Sequence, residues 1–390
     1  MKDWFANMSP YLFMLISAPV LLYISHNVIK NKGLRILLEV VAVAIPCIFA
    51  GLRSPDVGTD MTTYGEWGFI QAQTASWAEY YGTVKGWHPF GYSLVTWLVG
   101  HFTRCRMLYF GLIQALCLVP TYLSIRRLNP SGSWAGMLTY LLVIFPFSLN
   151  GMKQAIACGL GSLFFWLLIE SRYIFFVVSV LVGSLFHPTA IFLFLLMPVI
   201  LLVKKGEIVV KGRIISLRIA ALLLMTSAFI LLFVAGRVFI PYVAQLRDSF
   251  GFLLERMQDG GLNKSAIILG ASWVPVCCFG YKVLRQSISD TKGRDVSLYT
   301  AISLYSLAGF IGLQLDVIAL SMARLAYFGL IFLPLFMAFA VKLAGEKTGG
   351  GKTRTALIVS IGLFFTGLAA YFLYQTVICR VSEVFPFTFY

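Results

Sequence analysis

The chain has 390 residues, 59% of them hydrophobic and only 12% charged, with a formal net charge of +15. Ordinary soluble domains carry about 25% charged residues, so this composition excludes a soluble enzyme. It also excludes a nucleic-acid-binding module, because no soluble stretch combines a basic patch with interleaved aromatics.

In chain order, the apolar residues come in runs of roughly 17–22, the length that crosses a bilayer as a helix. Spans are predicted at 8–29, 34–50, 107–125, 134–149, 155–169 and 173–186, then at 189–203, 219–235, 266–284, 297–315, 326–341 and 356–374. Backbone polar groups must be satisfied within each span, so helices are the form expected. The fold class is therefore all-α, a polytopic transmembrane bundle of about twelve spans in a single membrane domain, 1–390. The first run lacks a basic start and a small-residue cleavage site, so it reads as a retained span. The seven cysteines lie mostly inside apolar runs without metal-ligand spacing. They are expected to be packing residues, with no metal and no cofactor.

Nineteen of the 31 Lys and Arg fall in loops that one orientation places in the cytoplasm, giving that side a net +13 against +2 on the other. Short loops rich in Lys and Arg stay inside, so the excess charge reads as a topology signal. Keeping every basic cluster inside puts 51–88 and Arg104–Arg106 on the same outer side. The apolar stretch 89–103 between them then has both ends outside. Fifteen helical residues rise about 22 Å against a hydrocarbon layer of about 30 Å, so a re-entrant or interfacial segment is expected there. The competing reading is a short tilted span.

Two outer segments, 51–88 and 236–265, are too long for plain connectors, and loops of this size commonly carry function. The first holds Trp67, Trp77, Tyr80, Tyr81 and Trp87 with Asp56, Asp60, Glu66 and Glu79. Aromatic faces with carboxylates suit a sugar or a lipid headgroup, and an interfacial aromatic belt is the competing account. The second, with Arg237, Arg247, Glu255, Arg256 and Lys264, is expected to form amphipathic surface helices.

Ionisable groups at membrane depth are costly and mark candidate sites. The stretch Arg53-Ser-Pro-Asp-Val-Gly58-Thr59-Asp60-x-x-x-Tyr64 offers a cation for phosphate and a carboxylate for an acceptor hydroxyl, joined by a tight turn. An Arg–Asp pair capping the helix end is the plainer alternative. Next, Asn150-Gly-Met-Lys153-Gln154-Ala-Ile-Ala157 starts a helix with Gly151, Ala155 and Gly159 spaced for close packing. Lys153 at a helix start opposes the macrodipole preference, so it reads as an anion ligand, with snorkelling as the alternative. Phe186-His187-Pro188-Thr189-Ala190 is a sharp break in which His187 could act as a base or simply bond to backbone. Finally, Asp316, Arg324 and Tyr327 flank an outer turn, where Arg324 is either a second diphosphate cation or the partner of Asp316. Gly349-Gly-Gly-Lys352-Thr353 imitates a phosphate loop, but Glu346 stands where the first glycine is required.

These pieces resemble the EpsG-like proteins, within the wider group of Wzy-type O-antigen and exopolysaccharide polymerases. The resemblance rests on Arg53 with Gly58-Thr59-Asp60 and Tyr64, Lys153-Gln154-Ala-Ile-Ala157, Phe186-His187-Pro-Thr-Ala190, Arg324-Leu-Ala-Tyr327 and the aromatic end Pro386–Tyr390. The family usually has Arg where Lys153 stands, and commonly Glu-Pro where this chain has His88-Pro89. The resemblance implies a GT-C-like membrane glycosyltransferase that joins undecaprenyl-diphosphate-linked oligosaccharide units at the outer face of a bacterial inner membrane. On that reading Arg53, Lys153 and Arg324 bind the diphosphate, and Asp60 or His187 is the base. Tyr64, Glu66, Trp67, His88, Gln154 and Tyr327 then face the sugars. Expected partners are the lipid-linked substrate, membrane lipid, and a chain-length regulator and flippase of the same pathway. A transporter or flippase of lipid-linked sugars, and a ligase-type glycosyltransferase, are the alternatives; the transporter would favour two symmetry-related halves, which the sequence lacks.

Overall fold

The computed structural model describes residues 2–210, 213–228, 230–231, 263–286, 292–317, 323–346 and 351–390. Among them, ten helices are long and apolar enough to cross a membrane. Two shorter apolar helices, Tyr173–Ser184 and Leu217–Ala228, stand where the sixth and eighth spans are predicted. The protein is a polytopic helical bundle; among the described residues there is also one antiparallel pair of four-residue strands, β1 (Glu207–Val210) and β2 (Arg213–Ser216), and an isolated bridge between Arg53 and Phe389.

The chain divides into two compact units. The first comprises Met1–Ile191, Met337–Lys342 and Leu368–Tyr390, and the second Phe192–Phe336 with Leu343–Gly367. The first contains α1 (Lys2–Asn27), α2 (Lys32–Leu52), α3 (Glu66–Ala72), α4 (Trp77–Val84) and α5 (Phe90–Phe102). It continues with α6 (Arg106–Leu128), α7 (Pro130–Asn150), α8 (Met152–Ile169) and α9 (Tyr173–Ser184). Prolines inside α1, α2 and α6 are tolerated because neighbouring helices re-satisfy the freed backbone groups. Helices α6 and α8 pack closely at Gly159, where a Cβ would collide with the Cys117 carbonyl; this is the small-residue spacing noted in the sequence.

Unit one has two chemically distinct ends. At one, Glu39 of α2 is buried and holds Arg126 Nε at 2.9 Å, His26 Nε2 at 3.4 Å and Tyr122 Oη at 3.0 Å. Arg127 and Arg172 both pair with Glu170 there, and Asn27 donates to the Ser131 carbonyl at 3.1 Å. At the opposite end, α2 stops and α6 starts side by side, because Arg106 Nη1 donates to the Arg53 carbonyl at 2.8 Å. Residues 53–105 therefore leave and return at the same end. Helix α5 has 13 residues, which rise about 20 Å, and it rests on the first turn of α6 through Thr96 and Tyr92, both bonded to Tyr109. Residues 90–102 of that stretch thus form one short helix packed on the start of α6.

The segment 51–88, predicted to lie outside, is folded rather than an open loop. A π turn at Met61–Gly65 leads into α3, and Ser76 with Glu79 forms a capping box at the start of α4. Trp77 stacks on Tyr81 at 5.0 Å and meets Phe90 and Trp97 edge-on at 5.8 and 5.6 Å. These rings form a small core with Tyr80 and Val84.

The second unit holds the 192–205 part of α10 (Pro188–Lys205), then α11 (Leu217–Ala228), α12 (Lys264–Gln286) and α13 (Gly293–Leu315). It also holds the first part of α14 (Arg324–Gly345) and residues 351–367 of α15 (Gly351–Ile378). Tyr305 of α13 donates to the Leu196 carbonyl at 2.8 Å, and Tyr299 to that of Val276 at 3.0 Å. Trp273 and Tyr299 pack on Phe336 at 5.4 and 5.6 Å. The predicted outer segment 236–265 lies outside the described residues except for 263–265, as does the side chain of Asp316.

Candidate functional site

The candidate residues of unit one gather at the end away from Glu39. Arg53 caps α2 and is 2% exposed. Its Nη1 donates to the Leu149 carbonyl at 2.6 Å, its Nη2 faces Met152 Sδ at 3.3 Å, and its guanidinium lies 5.6 Å from the Phe110 ring centre. Burial and the neighbouring Arg106 push its pKa down to about 10, so it stays charged at neutral pH. Arg53 therefore ties α2 to the α7–α8 junction.

A strap from the chain's end secures the same place. Ser54 N–H donates to the Thr388 carbonyl at 2.7 Å, and Tyr390 N–H to that of Leu52 at 2.9 Å. Arg106 meets Glu66 at 3.1 Å and lies 4.6 Å over the Tyr390 ring. The aromatic end noted in the sequence thus packs against the segment that carries Arg53.

The next turn delivers Asp60. Gly58 has φ +92°, and a Cβ there would stand 2.8 Å from the Leu149 carbonyl oxygen; this left-handed conformation is open to glycine at little cost. Its N–H donates to the Glu383 carbonyl at 2.9 Å. Asn150, the last residue of α7 and 4% exposed, then accepts from Thr59 Oγ1 at 2.8 Å and from the Asp60 N–H at 2.9 Å. The role of Asn150 is not visible in the sequence, because it depends on a contact 90 positions away. The π turn then brings Tyr64 round so that its hydroxyl donates to the Asp60 carboxylate.

Lys153, in the first turn of α8, completes the group. Its Nζ sits 3.5 Å from the centre of the Tyr64 ring and donates to the Trp87 carbonyl at 3.1 Å. A cation over an aromatic face is held by the ring quadrupole. Cation and carboxylate thus share one tyrosine, Lys153 on its face and Asp60 on its hydroxyl. The arrangement offers a positive group for an anionic ligand beside an oxygen base.

His88 is 3% exposed and meets Tyr64 and Tyr92 edge-on at 5.3 and 5.2 Å. Both ring nitrogens are buried without a hydrogen-bond partner. Burial, and then Lys153, lower its pKa to about 4, so it is a neutral imidazole at pH 7. Glu66 pairs with Arg106, Gln154 is 4% exposed, and Trp67 is 44% exposed. Of the five aromatics singled out in 51–88, Trp67 and Trp87 present open faces, whereas Trp77, Tyr80 and Tyr81 build the local core.

The His187 turn reaches the same end, since Gly91 N–H donates to the Leu185 carbonyl at 2.7 Å. His187 Nδ1 lies 2.6 Å from Thr189 Oγ1 and 3.4 Å from the Thr189 N–H. That nitrogen accepts the turn's own N–H, which is the plainer of the two expectations for it. Arg324 and Tyr327 stand half-buried in the first turns of α14, in the second unit.

No curated protein and no solved structure matches the chain. The model of the EpsG family matches residues 36–389, a range that contains every candidate named above. The chain belongs to the EpsG family, in line with the polysaccharide-polymerase character that its motifs imply.

Proposed function

We propose that the protein polymerises oligosaccharide repeat units carried on undecaprenyl diphosphate, at the membrane face away from the cytoplasm. The observation that carries this reading is Lys153 and Asp60 held on one tyrosine, at the end of unit one opposite Arg126, Arg127 and Arg172. Basic loops stay inside, which supports placing the Asp60 end at the outer face.

The acceptor hydroxyl oxygen attacks the anomeric carbon of the chain's lipid-proximal sugar. A glycosidic bond forms, the bond to the diphosphate oxygen breaks, and undecaprenyl diphosphate leaves with the electron pair. Asp60 takes the hydroxyl proton, and Lys153 stabilises the charge that grows on the departing diphosphate. Arg53 steadies the rim that carries both, His187 remains the second candidate base, and the proposal keeps Arg324 and Tyr327 as substrate-binding residues on the resemblance of their motif. Exposed Trp67 offers a stacking face for sugar rings.

Purified protein in proteoliposomes with defined lipid-linked units should produce a ladder of products. Single units alone, with the wild-type protein inserted and folded, would refute the proposal. In cells, loss of the protein should leave single-repeat caps, whereas loss of a flippase would remove surface sugar and loss of a ligase would leave polymer unattached. Orientation is checked by Arg104→Cys and Arg127→Cys in a cysteine-free background, which should label from opposite sides.

A further inference from the structure

Between α2 and α6 a furrow of about 600 Å³ runs along unit one. Its walls are apolar, with Val40, Ile48, Leu108 and Leu112 each between 48% and 60% exposed. Ala44, Gly111 and Ala115 line it where larger side chains would fill it. From Met107 to Arg126 the α6 axis rises about 28 Å, the depth of a hydrocarbon layer. The furrow closes on a charged group at one end only, formed by Glu39, Tyr122 and Arg126. Buried Glu39 fixes Arg126 through Nε at 2.9 Å, while the Arg126 side chain stays 41% exposed. Lys32, Arg35 and Arg127 belong to the same end of the unit, so its charge is positive.

We propose that this furrow binds one anionic phospholipid, with an acyl chain along the α2–α6 wall and the headgroup phosphate on Arg126. Hydrocarbon is the occupant an apolar, bilayer-facing furrow selects. One chain reaches mid-bilayer, about 15 Å or half the hydrocarbon thickness, so the furrow is long enough. The positive end selects an anionic head, because each nearby Lys or Arg attracts anionic lipid. The lipid-diphosphate substrate fits this place poorly, since Lys153 and Asp60 lie at the other end. That exclusion rests on the polymerase reading; the furrow and its charged end do not.

The test is native mass spectrometry of the full-length protein after exposure to equal phosphatidylglycerol and phosphatidylethanolamine. One phosphatidylglycerol should be retained, enriched about fivefold for one engaged cation. Ala115→Phe should abolish retention; Val40→Trp, at a 60% exposed position, plugs the furrow should the first variant fail to insert. The neutral pair Glu39→Gln with Arg126→Gln should keep a bound lipid but weaken the preference. Equal retention of both lipids, retention unchanged by a plug, displacement by a polyprenyl phosphate, or cross-linking of two copies through Val40→Cys would each overturn the proposal.

Discussion

Asn150→Ala separates the positioning of Asp60 from its chemistry. The Asn150 amide oxygen accepts two hydrogen bonds, from Thr59 at 2.8 Å and from the Asp60 N–H at 2.9 Å. Each is worth about 1 kcal/mol net, and an orphaned, half-buried N–H adds to the loss, so the Asp60 turn loses about 2–3 kcal/mol. At about 1.4 kcal/mol per tenfold, polymerisation should fall roughly 30- to 140-fold if that ordering is expressed in the transition state. Thr59→Val removes one bond and should cost about fivefold. The assay is the initial rate of ladder formation in proteoliposomes, normalised to folded protein by size-exclusion chromatography. A rate for Asn150→Ala within twofold of wild type would refute the positioning argument. So would an equal loss in Asn150→Ala and Thr59→Val.

Further outcomes follow from the same geometry. Lys153→Ala should abolish long products, while Lys153→Arg, which keeps the charge and can stack on Tyr64, should retain most of the activity; the ladder length distribution reads both. His88 has a folded pKa of about 4 against 6.5 for the free side chain, so the unfolded chain binds its proton first. Stability present above pH 6.5 is therefore lost as pH falls towards 4, by about 3 kcal/mol at most. Thermal unfolding in detergent across that range should show a limb that His88→Gln removes and Lys153→Met shifts, since Lys153 is the second cause of the depression. Glu39→Ala strips the partner from Arg126, His26 and Tyr122, and with Arg126 partly exposed the loss should be about 2–3 kcal/mol. Glu39→Gln with Arg126→Gln should cost less than the two single changes summed, as a double-mutant cycle of unfolding temperatures would show.

The apolar helices and the basic end of unit one are legible in the sequence, because each rests on a local quantity: run length or loop charge. The motif glycine at 58 and the small residues of α8 are legible for the same reason, since a turn and a close approach constrain their own positions. What a local reading leaves open is how a polar group is used. Arg53 and Lys153 look alike in the sequence, yet one is spent on the Leu149 carbonyl and the other sits on the Tyr64 ring. Trp77 and Trp67 likewise differ in packing alone. Asn150 and the contact of Glu39 with Tyr122 gain their roles from partners 83 to 91 positions away. Run length and charge decide that helices cross and which ends collect cations, because the bilayer acts on each segment separately. Which carboxylate meets which cation is decided only when those helices pack, because hydrogen bonds act over about 3 Å and depend on contacts that no single segment contains.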